Sequence, residues 1–264
     1  RLAQKDTLMT AAPLPFALDR SILIGAPRAT VFSFFTDSSR WATWWGAGST
    51  IDPVVGGQVY IRHPNGIEAG GTVLEIKAPA RIVFSYGFAS GVPMPLGASR
   101  VTISCEREAG ATRVTLHHAL ATEAARDEHI QGWRYQLSLF ANVVAGVVHS
   151  GAADKVDTWF AAWAEPDAAA REAMLSGAAV PEVQFRDQYS CVDGMAELLP
   201  HIAAAQRFMP GLRLKRDGDV RHCQGTVVAN WTAVASDGTP RGRGTNVFQM
   251  SPDGRISAAV GLWG

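Results

Sequence analysis

The chain has no excess of charge of either sign and no long apolar run. Its 24 Lys and Arg residues balance its 24 Asp and Glu residues. A nucleic-acid-binding surface needs an excess of basic side chains to contact phosphates, so the composition argues against a nucleic-acid partner. No stretch of about 18 consecutive apolar residues occurs, and we therefore expect no membrane-spanning helix.

Cysteines and metal-binding motifs are scarce as well. Cys105, Cys191 and Cys223 are scattered along the chain, and no pair has the CxxC spacing. This pattern argues against a disulfide framework and a structural zinc site, and it favours a cytoplasmic location. His117 and His118 are adjacent, so on a strand they point to opposite faces and form no metal site. With no phosphate-binding loop either, we expect no metal and no cofactor.

The length and the apolar content set the number of domains. With 264 residues, of which 47% are hydrophobic, the chain can form two ordinary domains that each bury a core. The beginning of the chain, RLAQKDTLMTAAPLPF, lacks the apolar core of a secretion signal. We expect the residues before Met9 to be disordered, because short terminal segments seldom make enough contacts to be fixed.

The first half is predicted to hold a strand, a helix, five strands and a long helix. Ala17–Ile24 alternates as a strand, and Pro27 opens a helix that should end near Ser38. The five strand patterns predict an antiparallel meander, because short connections cannot make parallel crossovers. The longest helical pattern, Glu123–Val148, has apolar residues three and four positions apart. The five strand patterns are Gln58–His63, Gly71–Ala78, Arg81–Phe88, Arg100–Glu108 and Thr112–Ala119.

This half resembles one known family. The motifs APRATVFSFFTDSSRWATWWG, VVGGQVY, VLEIKAPARIVFSYGF, TRVTLHHA and HIQGWRYQLSLF occur in the order found in AHSA1-like domains. These domains are a branch of the START/Bet v 1-like (SRPBCC) helix-grip fold, and the resemblance covers residues 16–148. It implies α+β architecture with a small-molecule cavity between the curved sheet and the long helix. A chaperone-related role, which the family name suggests, is an alternative.

The strand periodicity of this half indicates which side chains would face such a cavity. Phe84 and Tyr86 share one strand face, and Leu116 and His118 share another. If these faces point inward, Tyr86 and His118 supply the polar contacts of an otherwise apolar ligand site. The tryptophans of WATWWG either fill the end of the core or cover a ligand. The candidate ligand-binding residues of this half are Trp45, Phe84, Tyr86, Leu116, His118 and Trp133.

The second half has its helices before its strands, after a weakly patterned stretch at His149–Lys155. Such an order, with antiparallel strands at the end, predicts a cone-shaped α+β domain. The helical patterns are Asp157–Ala164, Ala168–Leu175 and Gly194–Ala205, and a short strand is predicted at Glu182–Asp187. The remaining strand patterns are Leu212–Asp217, Val220–Ala235, Arg243–Ser251 and Ile256–Trp263.

The second half resembles the NTF2-like, SnoaL-like family. The residues that carry the resemblance are DTWFAAWAEPD, EVQFRD, VDG, FMPGLRLK and SPDGRISAAVGLW, and it covers residues 155–264. The family includes ketosteroid isomerase and polyketide cyclases beside plain binding and dimerisation modules, so the fold alone selects no function. The resemblance to this family also implies a homodimer that forms through the sheet of this domain.

Asp187 is the strongest candidate for a catalytic residue. It follows Val183 and Phe185 at alternate positions, so all three should face the interior of the cone. A carboxylate in an apolar cavity can accept a proton near neutral pH. The alternative is that Asp187 caps or bonds to the following turn, QYSCVDG, as Asp often does in loops.

The resemblance supplies two partners for this carboxylate. In the ketosteroid isomerase branch an Asp at the matching place is the general base, and Trp159 and Asn246 stand where that branch has its two oxyanion donors. Both are neutral donors, so together with Asp187 they could remove a proton beside a carbonyl and hold the enolate. Trp163, Phe185 and Trp231 are the candidate ligand-binding residues of this half. On one continuous strand Trp231 and His222 would face opposite sides, unless a bulge near Gly225 intervenes.

Three hypotheses remain open from the sequence. The first is a protein that binds a small apolar metabolite. The second is an isomerase or cyclase of polyketide-like or steroid-like substrates, with Asp187 as the general base. The third is a chaperone-related or dimerising interaction module. The sequence does not decide whether the protein is an enzyme.

Overall fold

The computed structural model describes residues 13–264, so the expectation for the residues before Met9 lies outside the described part. Helices and mostly antiparallel strands alternate along the chain in blocks, which confirms the α+β class. The chain divides into two compact units. One comprises the described residues up to Leu23 with Arg28–Phe140, and the other comprises Ile24–Pro27 with Ala141–Gly264. The predicted domain limits of 16–148 and 155–264 stay a prediction.

The first unit is built on an antiparallel sheet of seven strands. Their order is β1-β7-β6-β5-β4-β3-β2, so the chain winds back and forth from β2 to β7 and β1 closes the far edge. The five strands of the predicted meander are thereby confirmed. The strands are β1 Phe16–Ile24, β2 Thr50–Ile51, β3 Gln58–Arg62, β4 Glu68–Lys77, β5 Arg81–Phe88, β6 Ser99–Glu108 and β7 Ala111–Leu120.

The helices of this part of the chain are α1 Arg28–Ser33, α2 Ser38–Trp45 and α3 Glu123–Val148. The limits of α3 are those predicted from its apolar spacing. The helix predicted to open at Pro27 begins at Arg28, but it ends at Ser33 rather than near Ser38, and α2 follows as a separate helix that was not predicted. Asp37 caps the second one, since its Oδ1 accepts hydrogen bonds from the backbone N–H of Ser39 at 2.8 Å and of Arg40 at 3.1 Å.

The second unit carries a six-stranded sheet with the order β10-β11-β12-β13-β8-β9. Among its recorded ladders only the β13–β8 pair is parallel, and the long connection through β9, a helix and three strands is the crossover that a parallel pair requires. The helices of this unit are α4 Ala152–Ala162, α5 Ala168–Ala178 and α6 Met195–Phe208. The strands are β8 Ala179–Asp187, β9 Ser190–Asp193, β10 Arg213–Cys223, β11 Thr226–Val234, β12 Pro240–Met250 and β13 Ile256–Trp263.

The long strand predicted at Val220–Ala235 is wrong. Gln224 and Gly225 have φ values of 47° and 88°, and this left-handed turn ends β10 and starts β11. His222 and Trp231 therefore belong to neighbouring strands, and the argument that placed them on opposite faces of one strand does not hold. His222 contacts His149 at 3.1 Å between Nε2 and Nδ1.

The inner face of the second sheet follows strict alternation. Trp231 on β11, Asn246 on β12 and Ala259 on β13 are buried, whereas Asn230 and Val260 are exposed. One face of the sheet therefore carries the core and the site described below. Among residues 13–264, no single helix is long and apolar enough to cross a membrane, and α3 and α4 reach that composition only as a pair bent by 55°.

Candidate functional site

The second unit encloses a cavity of about 620 Å³ between its sheet and its helices. This volume is in the range of small-molecule sites. All six candidate residues of the second half line it, namely Trp159, Trp163, Phe185, Asp187, Trp231 and Asn246. Aromatic and aliphatic side chains form most of the remaining wall, so a ligand would meet a largely apolar surface.

Regular spacing on each element directs these side chains to one place. Phe185 and Asp187 lie two positions apart on β8 and share its inner face. Trp159 and Trp163 lie four positions apart at the end of α4, so both project from one side of the helix. Asn246 is paired with Gly261 across the β12–β13 ladder.

The two carboxylate oxygens of Asp187 have different partners. Oδ1 accepts a hydrogen bond of 2.8 Å from the backbone N–H of Tyr189, which closes the turn between β8 and β9. Oδ2 accepts a hydrogen bond of 3.3 Å from the indole Nε1 of Trp263. The carboxylate is half-buried and lies on the cavity wall. The bond between Asp187 and its own turn, which was the alternative prediction, is therefore present, and the contact with Trp263 shows that it is not the only one.

Gly261 lies beside this carboxylate. A Cβ atom added to Gly261 would stand 3.3 Å from the Cβ of Asp187 and 3.4 Å from the Oδ1 of Asn246. These distances show that Asp187 and Asn246 flank one point of the cavity wall. The absence of a side chain at Gly261 lets Asp187 and Asn246 approach each other closely on this wall.

Asn246 is 5% exposed and its amide has one orientation. Its Oδ1 accepts a hydrogen bond of 2.8 Å from the Nε1 of Trp231. An indole N–H can only donate, so the oxygen of the amide faces Trp231 and the NH₂ group points elsewhere. The oxygen is thus engaged within the protein, and the NH₂ is the part of Asn246 that can serve a ligand.

Two indole donors on the cavity wall have no acceptor among the described residues. The Nε1 atoms of Trp159 and Trp163 are buried and make no hydrogen bond within residues 13–264. Trp159 is completely buried and packs against Phe185 with 5.9 Å between ring centroids. A buried donor without a partner costs about 1–3 kcal/mol, but both atoms have almost no accessible surface, so each indole must shift before a ligand acceptor can reach it.

Several wall residues could not be found from the sequence. Ser190 and His201 line the cavity, and their side chains are linked by a contact of 2.8 Å between Oγ and Nε2. They lie on β9 and α6, and no motif connects two residues at that separation. Trp263 was predicted only as the end of a strand, whereas its indole reaches Asp187. The exposed aromatic side chains of Tyr189 and Phe208 are also part of the wall.

The six candidate residues of the first half lie in a packed interior. Trp45 touches Trp133 with ring centroids 5.7 Å apart, and Trp41 contacts both Trp45 at 5.6 Å and Phe84 at 5.9 Å. Leu116 and His118 have no exposed surface. The structure therefore places the tryptophans of WATWWG in the core, rather than as a cover over a ligand.

The predicted polar contacts of the first half are engaged with each other. Trp133 Nε1 donates to His118 Nδ1 at 2.9 Å, and His118 Nε2 lies 2.8 Å from Ser99 Oγ. Ser99 Oγ in turn donates to the backbone oxygen of Tyr86 at 2.9 Å. Because the indole only donates, Nδ1 carries no proton and the imidazole is neutral with its proton on Nε2.

Burial determines the charge states of His118 and Tyr86. The loss of hydration lowers the pKa of His118 to about 3, with smaller contributions from His129 and His117. Burial also raises the pKa of the Tyr86 phenol above its usual value. Both side chains are therefore neutral near pH 7, which suits a structural role. Within residues 13–264, no group of three or more His, Cys, Asp and Glu side chains could hold a metal ion.

Comparison with known proteins identifies the first half. Residues 25–145 match the family model described as activator of Hsp90 ATPase homolog 1-like protein. The AHSA1-like resemblance is thereby confirmed for this part of the chain. No curated protein matches the chain.

Solved structures align with about half of the chain each. A proposed isomerase of the SnoaL-like family from Agrobacterium tumefaciens is 24% identical, with 45% of this chain and 98% of the other covered and a TM-score of 0.41. CalU16 from Micromonospora echinospora is 25% identical, with coverages of 47% and 75% and a TM-score of 0.39. The Aha1 dimer from Colwellia psychrerythraea is 17% identical, with coverages of 47% and 92% and a TM-score of 0.40.

Proposed function

We propose that the cavity of the second unit binds a small, largely apolar carbonyl compound and that Asp187 takes a proton from the carbon beside the carbonyl. The observation that carries this proposal is the position of Asp187 on the wall of an apolar cavity, close to Asn246 and Gly261. A carboxylate in such a place is a candidate proton acceptor.

The donors on the wall support a carbonyl ligand. The NH₂ of Asn246 can bond to an oxygen atom, and the unpartnered N–H groups of Trp159 and Trp163 can do so once their indoles shift toward the cavity. When a proton leaves the neighbouring carbon, negative charge develops on the carbonyl oxygen. Neutral donors in a buried site stabilise that charge, which lowers the barrier to proton removal.

Deuterium exchange tests this proposal without knowledge of the natural ligand. We expect the protein in D₂O to accelerate exchange of the α hydrogens of 2-tetralone, followed by ¹H NMR. Asp187→Asn keeps the shape of the side chain but removes the proton acceptor, and it should lower the accelerated rate by about a hundredfold. The control is Asp219→Asn, an exposed carboxylate outside the cavity wall. Equal rates for wild type and Asp187→Asn would refute the proposed chemistry.

Binding without turnover is a second candidate, and one observation favours it. Both oxygens of Asp187 already accept hydrogen bonds from the protein, from Tyr189 and Trp263. A carboxylate held in this way can serve mainly to fix the turn and the cavity wall. In that case 2-tetralone would quench the fluorescence of the wall tryptophans equally in wild type and Asp187→Asn, while neither protein accelerates exchange.

A second copy of this chain is the partner that we propose. On the outer face of the second sheet Val247 is paired with Val228 and with Val260, and Leu262 is 54% exposed on the same face. An apolar stripe across three strands suits an interface that is related by two-fold symmetry. The chaperone-related alternative rests on the family name alone, so we rank it below ligand binding.

A further inference from the structure

A second polar pair lies on the wall of the cavity that holds Asp187. Ser190 and His201 both line it, and the Oγ of Ser190 is 2.8 Å from the Nε2 of His201. Neither residue belongs to the set of donors that faces the carbonyl oxygen in the proposed function. The pair therefore needs a role of its own.

The pair adjoins Asp187 because of the strand register. Asp187 on β8 is directly opposite Ser190 on β9. Directly opposed residues of an antiparallel pair project to the same face, with Cβ atoms about 5 Å apart. Asp187, Ser190 and His201 thus form one continuous polar edge in a mostly apolar cavity.

The imidazole of His201 is held in a defined place. It is half-buried, its ring contacts Trp163 at 5.9 Å and Phe185 at 6.3 Å between centroids, and Ser190 contacts its Nε2. Imidazole is the side chain that most readily gains and loses a proton near neutral pH. A fixed imidazole on the wall can therefore exchange a proton with a bound ligand.

We infer that His201, positioned by Ser190, is a second proton-transfer residue, so that a proton is removed from one carbon atom of a ligand and another is added to a second carbon atom. This inference rests on the proposed function. Asp187 takes a proton from the carbon between a carbonyl and a carbon–carbon double bond, and the electrons of the broken C–H bond form a dienolate. Protonated His201 then gives its proton to the far carbon, where a C–H bond forms, and the carbonyl is restored. Exchange with water returns both side chains to their starting states, so no oxidant or other reactant is consumed.

Conversion of 3-cyclohexen-1-one to 2-cyclohexen-1-one measures this transfer, because the conjugated product absorbs in the near ultraviolet. The exchange of 2-tetralone, measured in parallel, requires only the first step. We expect His201→Gln to lower the conversion at least about tenfold more than it lowers the exchange. His117→Gln, an exposed histidine outside the cavity wall, is the matched control and should leave both rates as in wild type.

Two further variants separate proton transfer from a structural role. Added imidazole should restore conversion in His201→Ala, because it can occupy the vacated space and supply the proton. Ser190→Thr keeps the hydroxyl and should convert faster than Ser190→Ala, while circular dichroism confirms that all variants are folded.

The possible failures are distinguishable. An equal loss of both rates in His201→Gln, or a wild-type protein that exchanges 2-tetralone but does not convert 3-cyclohexen-1-one, overturns this inference and leaves the proposed function standing. A wild-type protein that does not exchange 2-tetralone faster than Asp187→Asn overturns the proposed function and this inference with it.

Discussion

Trp263 Nε1 donates a hydrogen bond of 3.3 Å to Asp187 Oδ2 on the wall of the cavity. The bond joins the last strand of the second sheet to the end of β8. It occupies the carboxylate oxygen that does not serve the β8–β9 turn. The proposed base is therefore engaged until a ligand displaces the indole or shares the oxygen with it.

We expect Trp263→Phe to raise the rate at which the protein exchanges the α hydrogens of 2-tetralone, by about threefold to tenfold. Phe removes the donor and frees Oδ2, while a ring remains in place of the indole that packs against Trp231 at 5.1 Å. A gain of this size corresponds to about 0.7–1.4 kcal/mol, the net strength of a typical hydrogen bond. The measurement is ¹H NMR in D₂O, and an unchanged rate would show that the Trp263 contact does not restrain Asp187.

Gly261→Ala should weaken binding of 2-tetralone by about tenfold, because the methyl group enters the space between Asp187 and Asn246. The added Cβ would be 3.3 Å from the Cβ of Asp187 and 3.4 Å from the Oδ1 of Asn246, so these two side chains must shift slightly. Their shift would change the surface that the ligand contacts. Tryptophan fluorescence titration measures the affinity. Gly177→Ala is the matched control, since nothing lies within 4 Å of its added Cβ and the helix should gain about 0.5–1 kcal/mol. Equal affinities in the two variants would place the ligand elsewhere.

The wall of this cavity could be predicted in part because strand and helix periodicity is local. Phe185 and Asp187 alternate on one strand, and Trp159 and Trp163 lie one helical turn apart, so their shared faces can be read directly. Ser190 and His201 meet only after β9 and α6 have packed. Periodicity within one element does not predict a contact between two elements. The contact of Trp263 on β13 with Asp187 on β8 could not be predicted for the same reason.

The polar residues of the first half show a second property that the sequence does not predict, namely the hydrogen-bond partner of a buried side chain. Tyr86 and His118 were placed correctly in the interior, but periodicity does not tell whether an inward polar group meets a ligand or another protein group. The bonds of His118 to Trp133 and Ser99 depend on three separate elements, α3, β7 and β6. The sequence indicated at most a bulge near Gly225, because the turn holds no Asn, Asp or Pro and Thr226, Val227 and Val228 continue the strand pattern directly after it.

Buried His118 predicts a loss of stability in acid. Its pKa is near 3 in the folded protein and about 6.5 when the chain is unfolded, so the unfolded chain binds more protons between these values. The contribution of His118 to stability is complete above pH 6.5 and falls as the pH drops towards 3, by at most about 1.4 kcal/mol for each pH unit. Urea unfolding at pH 7 and pH 5 measures this loss.

His118→Gln should reduce that acid sensitivity. The Gln amide can accept from Trp133 with its oxygen and donate to Ser99 with its nitrogen, but it does not titrate. His117→Gln is the comparison variant and should keep most of the acid sensitivity, because His117 makes only a smaller contribution to the pKa of His118 than burial does. The same pH dependence in wild type and His118→Gln would mean that other groups account for the loss of stability.

The outer face of the second sheet gives the last prediction, which concerns assembly. Val260 is 41% exposed and is paired with Val247, so a symmetric dimer through this face would bury two copies of Val260. Burial of a valine contributes about 1.5 kcal/mol, and two copies therefore contribute about 3 kcal/mol, or about a hundredfold in the dissociation constant. Val260→Lys should shift the protein to a monomer in light scattering at micromolar concentration. Val147→Lys changes an equally exposed valine on α3 and should leave the mass of the particle unchanged. A dimer that persists in Val260→Lys would show that the copies associate through a different surface, and a monomeric wild type would remove the second copy as a partner.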